Sequence, residues 1–141
     1  MIIESVKAII IKNKKYLLQL RDNKKNIFFP NYWGLFGGRI DSGEMYIDAI
    51  KREIREELNL NVRIEKNILN TDYSVIGLTK KRKLVYYECF VKDFTNLKLT
   101  EGQKYKFFNF TELKNFNIIP MDYVAISSHY NYKYKRKKMN R

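Results

Sequence analysis

Three glutamates within five residues, Glu53, Glu56 and Glu57, are the side chains of this chain best spaced to do chemistry together. Spacings of three and four put them on neighbouring parts of one helix surface. Like charges that close cost an isolated helix roughly 0.2–0.5 kcal/mol per pair. A hard divalent cation reverses that sign, because it takes oxygen ligands and is shared between carboxylates, water and substrate phosphates. Standing alone, the run Arg52-Glu53-Ile54-Arg55-Glu56-Glu57 reads more readily as a solvated charged face, with the two arginines balancing the glutamates.

The elements around the run must aim it. Ile47, Ile50, Ile54 and Leu58 are spaced three, four and four apart and form the expected core-facing stripe of an amphipathic helix. The glutamates then lie at the rim, where a buried face meets a cleft. Upstream, Gly37-Gly38 allows a sharp turn and close approach to a ligand. Asp41-Ser42-Gly43 is a second turn, and Ser42 or Gly43 is expected to cap the helix, with Glu44 near its positive end.

Read as a pattern, the stretch is Gly38, five residues, Glu44, seven residues, then Arg52-Glu53-Ile54-Arg55-Glu56-Glu57-Leu58-Asn59-Leu60. This resembles the signature of the Nudix hydrolases at every fixed position but one. Asn59 stands where the signature has its last glycine. That glycine would end the helix in a left-handed conformation, for which Asn is the next-best residue, so the departure touches helix termination and not the chemistry. Upstream, Leu17 to Arg21 and Pro30 to Gly37 look like the strand and loop that precede the signature in many members. Phe36 stands where many members have proline, giving an FGG-type entrance. The resemblance covers roughly residues 5–113.

The resemblance implies an α/β fold, the Nudix-type α/β/α sandwich with a mixed β-sheet. It also implies that Glu53, Glu56 and Glu57 ligate Mg²⁺ or Mn²⁺ with a backbone carbonyl of the Gly37-Gly38 turn. Arg52 would pair with a carboxylate of the signature, and Glu44 would steady the loop. The general base is open between Glu53 and Glu101, which would also join the metal set. Thr100-Glu101-Gly102-Gln103 resembles a base-bearing loop of the nucleotide-pool-cleaning branch, and reads equally as an ordinary loop. Arg21 and Arg39 are candidates to contact phosphates. Phe28, Phe29, Tyr32 and Trp33 could stack on a base, though at least half of such a cluster is expected in the core.

The activity implied is hydrolysis of a nucleoside diphosphate linked to another group, such as a nucleoside triphosphate or a nucleotide sugar. Removal of pyrophosphate from RNA 5′ ends and a non-catalytic nucleotide-binding module are the alternatives. The full set of glutamates argues against the last. The proline that some ADP-ribose hydrolases carry past the signature is absent near Val75 and Ile76.

Composition bounds the rest. At 141 residues the chain is long enough for one domain with a real core, read as residues 1–135 followed by a basic tail, 136–141. A lone cysteine, Cys89, excludes an internal disulfide and suits a small core thiol in a reducing compartment. No apolar run reaches membrane-span length, and Glu4 and Lys7 interrupt the N-terminus as a signal peptide, so a cytoplasmic protein is expected. The net charge of +13 fits an anionic partner, but the last eleven residues alone carry six basic groups and no acidic one. RNA is the lesser reading of that tail beside a frayed, solvated end, and a monomer and a homodimer are equally compatible.

In order, strands are expected at Ser5–Ile11, Tyr16–Leu20, Tyr32–Phe36, Val62–Ile68, Asn70–Ile76, Leu84–Val91 and Tyr105–Phe110. A C-terminal helix is expected from Asp122 to about Tyr134, with His129 structural or exposed on it.

Overall fold

The computed structural model describes residues 2–74 and 76–135. Val75 and the basic tail, 136–141, lie outside the described residues. The strands are β1 (Ile2–Lys12), β2 (Lys15–Leu20), β3 (Trp33–Gly34), β4 (Phe36–Arg39), β5 (Arg63–Ser74), β6 (Lys81–Phe90) and β7 (Lys104–Phe108). Helix α1 spans Tyr46–Leu58 and α2 spans Pro120–Tyr130, with a short 3₁₀ turn at Phe110–Asn115 and a wide turn at Asn131–Lys135.

β1 organises the sheet. It runs parallel to β6 and antiparallel to β4, and its far end turns into β2. β5 extends the sheet beyond β6, while β2 carries β3 on one side and β7 on the other. Parallel and antiparallel pairs together make the sheet mixed, with helices over it.

Alternation along β1 builds two cores from one strand. Val6, Ala8 and Ile10 pack with Ile50, Ile54 and Leu58 of α1. Ile9, on the other face, packs with Tyr86, Phe108 and Ile126 beneath α2.

Several boundaries differ from expectation. β3 and β4 are separate strands broken at Leu35, and the two strands expected across residues 62–76 are one, β5. Register shifts between Ile64 and Lys66 and between Asn67 and Leu69 explain why its alternation is loose. β7 stops at Phe108, because Asn109 and Glu112 form a capping box that starts the 3₁₀ turn. α2 starts on Pro120, whose fixed φ suits a first helical position, and ends four residues early.

α1 also starts later than expected. Met45 occupies the cap without a side-chain bond, and Ser42 and Gly43 lie upstream in a turn closed from Glu44 N–H to the Asp41 carbonyl at 3.0 Å. Ile47 is 44% exposed, whereas Ala49 and Glu57 join Ile50, Ile54 and Leu58 on the buried face. The helix ends on Asn59 in the left-handed region (φ 56°, ψ 39°), with its N–H on the Arg55 carbonyl and its side-chain amide donating to Asn96 O at 3.1 Å. Asn59→Val should therefore cost about 1–2 kcal/mol in denaturant unfolding, since a β-branched residue resists that conformation. Asn59→Gly should stay within about 0.5 kcal/mol of wild type, gaining backbone ease while losing the Asn96 bond.

Candidate active site

The site forms where α1 passes Gly38. A Cβ on Gly38 would stand 2.5–2.6 Å from the Glu53 carboxyl, so only glycine lets the β4 backbone and that carboxylate share the space. Glu53 lies beside Glu57, and Glu57 is only 5% exposed. Burial first, then the closeness and charge of Glu53, then the charge of Glu101, push the Glu57 carboxyl up to about 9, while Lys7 pulls it down. Its Oε2 is buried without a hydrogen-bond partner among the described residues.

Arg52 clamps the other side. It donates from Nε and Nη2 to the two Glu44 oxygens at 2.9 Å each, and from Nη1 to Glu53 at 2.8 Å. Nη2 also donates to the Arg39 carbonyl at 3.1 Å, which ties helix to loop. Glu44 further accepts the Asp41 N–H at 3.0 Å. The Arg52 bonds and then that N–H hold the Glu44 carboxyl down at about 2. Glu56 is the exposed member of the set, its side chain 59% exposed, with Oε2 3.5 Å from the same Arg52 Nη1.

Glu101 reaches the site through a latch. Thr100 donates its N–H to Glu57 O at 3.0 Å and its hydroxyl to Glu56 O at 2.8 Å, and Lys98 N–H meets Leu58 O at 2.9 Å. These bonds satisfy carbonyls that the helix end leaves free and fix the loop that carries Glu101, whose charge acts on Glu57. Gly102 has φ +80°, and a Cβ there would meet Gln19 Oε1 at 2.6 Å.

A cleft of about 750 Å³ opens from Gly37, Gly38 and Arg39. Arg21 and Arg82 also line it, with Phe28, Phe29 and Tyr73 on its wall. Arg21 Nε donates to Phe28 O at 2.9 Å, and the Arg82 guanidinium lies 5.2 Å from the Phe28 ring centre. Phe28 and Phe29 are exposed and Tyr32 is half-buried. Trp33 is the exception and corrects its assignment as a stacking residue. It is 7% exposed, edge-on to Phe108 at 4.9 Å, and its ring is committed to the core beneath α2.

The structure thus brings Gly38, Arg52, Glu53 and Glu57 together, with Glu56 on the same Arg52 Nη1 and Glu101 exposed on the neighbouring loop. Among the described residues no three carboxylate, imidazole or thiol groups stand as a ready-made ligand set. Lys7 and Asp122, on the cleft floor, were not singled out from the sequence. The signal was there, since Lys7 interrupts an apolar strand and Asp122 opens a helix after Pro120. His129 is fully buried and its Nδ1 is 2.8 Å from the Tyr16 hydroxyl, and Cys89 is a buried core thiol.

The family model of the NUDIX domain matches residues 1–126. The chain belongs to the Nudix hydrolase family. NudI of Enterobacter sp. (strain 638), named a nucleoside triphosphatase, is 41% identical over 56 residues, 40% of this chain and 39% of that protein. NUDT17 of Xenopus laevis, named an m7GpppN-mRNA hydrolase, is 38% identical over 66 residues, 47% of this chain and 20% of that protein. The chain therefore spans well under two thirds of the length of these curated relatives. The solution structure of the E. coli ORF135 protein matches with a TM-score of 0.80 at 24% identity, over 96% of this chain and 93% of that one, a likeness of fold. No described helix is long and apolar enough to cross a membrane.

The donor set of this Nudix site fits a hard divalent cation. It offers carboxylate and carbonyl oxygens only, and one buried Glu57 oxygen has no other partner. The two perturbed glutamates predict opposite pH dependences. Glu57 has a folded-state pKa above its ordinary 4.5, so its contribution to stability is full below 4.5 and is lost as pH rises through about 9. Glu44 has a lowered pKa, so its contribution is full above 4.5 and is lost as pH falls through about 2. Unfolding midpoints measured against pH in EDTA should lose their alkaline slope in Glu57→Gln and part of their acid slope in Glu44→Gln. Saturating Mg²⁺ should remove the alkaline slope from the wild type.

Proposed function

We propose that the chain, acting as one catalytic domain over residues 1–135, is a divalent-metal-dependent pyrophosphohydrolase of nucleoside triphosphates. Water and a nucleoside triphosphate would give the monophosphate and pyrophosphate. The carrying observation is the Glu53–Glu57 pair, pressed against Gly38 at the mouth of the cleft with a Glu57 oxygen unpartnered. Two like groups held this way disfavour the empty site, which suits a cation as the missing partner.

In this reading Glu53, Glu57 and the Gly38 carbonyl hold Mg²⁺ or Mn²⁺, with Glu56 and Glu101 turning inward to complete the set. The bound ion would screen the phosphates and favour ionisation of the attacking water. Arg52 keeps Glu53 aimed while Glu44 keeps Arg52 in place. Arg39, Arg21 and Arg82 line the cleft, and this cationic lining suits a polyphosphate better than a neutral sugar. Glu53 is engaged by Arg52, whereas Glu101 is exposed on its latched loop, which favours Glu101 as the group that takes the proton. The name of NudI points the same way.

The test is a Mg²⁺-dependent release assay over nucleoside triphosphates, nucleotide sugars, dinucleoside polyphosphates, and 5′-triphosphate and capped RNA. Triphosphates should be the preferred class, and Glu53→Gln should abolish turnover. Glu101→Gln should lower kcat by about 10²–10⁴-fold with KM little changed. Preference for an RNA 5′ end would replace the small-nucleotide reading. Tight nucleotide binding without any turnover would replace it with a binding module.

A further inference from the structure

Lys7 is out of keeping with its place in the sheet. It lies on the row of β1 that faces α2, next to Ile9, where an apolar residue would close the core. Its ammonium instead donates to Asp122 Oδ2 at 2.6 Å, and Asp122 is fully buried. The aspartate takes two further bonds. Oδ2 also accepts the Leu35 N–H at 2.9 Å, and Oδ1 accepts the Tyr86 hydroxyl at 2.5 Å. Gly34 makes room for this arrangement, since a Cβ there would stand 3.0 Å from Asp122 Oδ2 and 2.6 Å from Ile119 Cδ1.

The aspartate therefore fixes the lysine and has little acceptor capacity left for a ligand. The lysine is different. An ammonium has three N–H donors, one is used on Asp122, and the side chain is 17% exposed on the floor of the cleft. Beside its arginines the cleft has an apolar lining, from Leu84, Ile119, Pro120, Met121 and Phe28. Lys7 and Asp122 cancel in charge, so the floor itself adds little to the attraction that the arginines offer a polyphosphate. A flat, neutral group with hydrogen-bond acceptors on its edge fits instead.

Resting on the reading of this cleft as a nucleotide site, we propose that Lys7 is a specificity-determining residue that donates to an acceptor on the edge of the nucleobase. Asp122 is its positioning residue. The phosphates lie by Gly38 and Arg39, on the strand that pairs with β1.

The test measures binding, so that it stands apart from turnover. Affinities of GMP, UMP and ribose 5-phosphate are measured by calorimetry in Mg²⁺ for the wild type and Lys7→Met. The two nucleotides should bind the wild type more tightly than ribose 5-phosphate. Lys7→Met should weaken them by about 10- to 100-fold, the size of one hydrogen bond from a charged donor, and leave ribose 5-phosphate unchanged. Because Lys7→Met strands a buried carboxylate, the double variant Lys7→Met with Asp122→Asn is measured beside it, with the same expectation. Equal losses for all three ligands would make Lys7 a phosphate or structural residue and overturn the proposal. So would no loss, or no nucleotide binding by the wild type. A base-dependent loss in a protein that turns over no triphosphate would retire the hydrolase reading and keep this one.

Discussion

The guanidinium of Arg52 is the interaction on which the rest of the site depends. It joins Glu44, Glu53 and the Arg39 carbonyl in one planar fork, and so ties the middle of α1 to the loop that leads into it. Without it the glycine turn and the helix would meet only through apolar packing, which does not set the direction of a carboxylate. A lysine could supply the charge but not three simultaneous, directed contacts. The network also offsets part of the repulsion that comes from crowding Glu53, Glu57 and Glu101. What it leaves uncompensated is the buried half of Glu57, and that residue of unfavourable energy is where a cation gains most.

The glycines set the distances that Arg52 only aims. At Gly38 the absence of a side chain admits the Glu53 carboxylate, and at Gly34 it admits Asp122. Both close approaches occur within one short stretch between β3 and the end of β4, on opposite faces of the sheet. One backbone segment thus positions both ends of the cleft. The second loop is held differently, by Thr100 and Lys98 pairing with the last carbonyls of α1. Helix termination and placement of Glu101 are therefore one event, and Asn59, which ends the helix, also takes part through its bond to Asn96 O.

Periodicity made α1 legible, together with the strands around the glycines and the set of acidic residues. It gives an angle around the helix axis but not how far the sheet extends beneath it, which is why Ile47 lies on the apolar side yet stays exposed in the first turn. The same angle held a signal that residue type obscured. Glu57 is seven residues past Ile50 and three past Ile54, the spacing of the buried stripe itself, and it is buried. Glu56 falls off that stripe and is exposed. Trp33 misled in the opposite sense: an aromatic beside a predicted cleft reads as a stacking platform, and only the edge-on partners Phe108 and Phe116 show that its ring is already packed in the core. The bulged β5 was read as two strands because each bulge reverses which residues face inward.

β1 explains why the two ends of the cleft differ in chemistry although they are adjacent in sequence. Val6 pairs with Gly38 and Lys7 with Gly37, so neighbouring residues of one strand serve opposite faces of the sheet. Val6 closes the core under the glutamate helix, and Lys7 enters the floor under α2. A slip of one residue would send the ammonium under α1 and bring an apolar side chain to Asp122, stranding that carboxylate. The long parallel pairing with β6 resists such a slip along the whole strand, from Ile2 against Lys81 to Ile10 against Cys89. The buried Lys7–Asp122 pair adds a penalty to every other register, and in doing so keeps the polar floor a fixed distance from the acidic mouth.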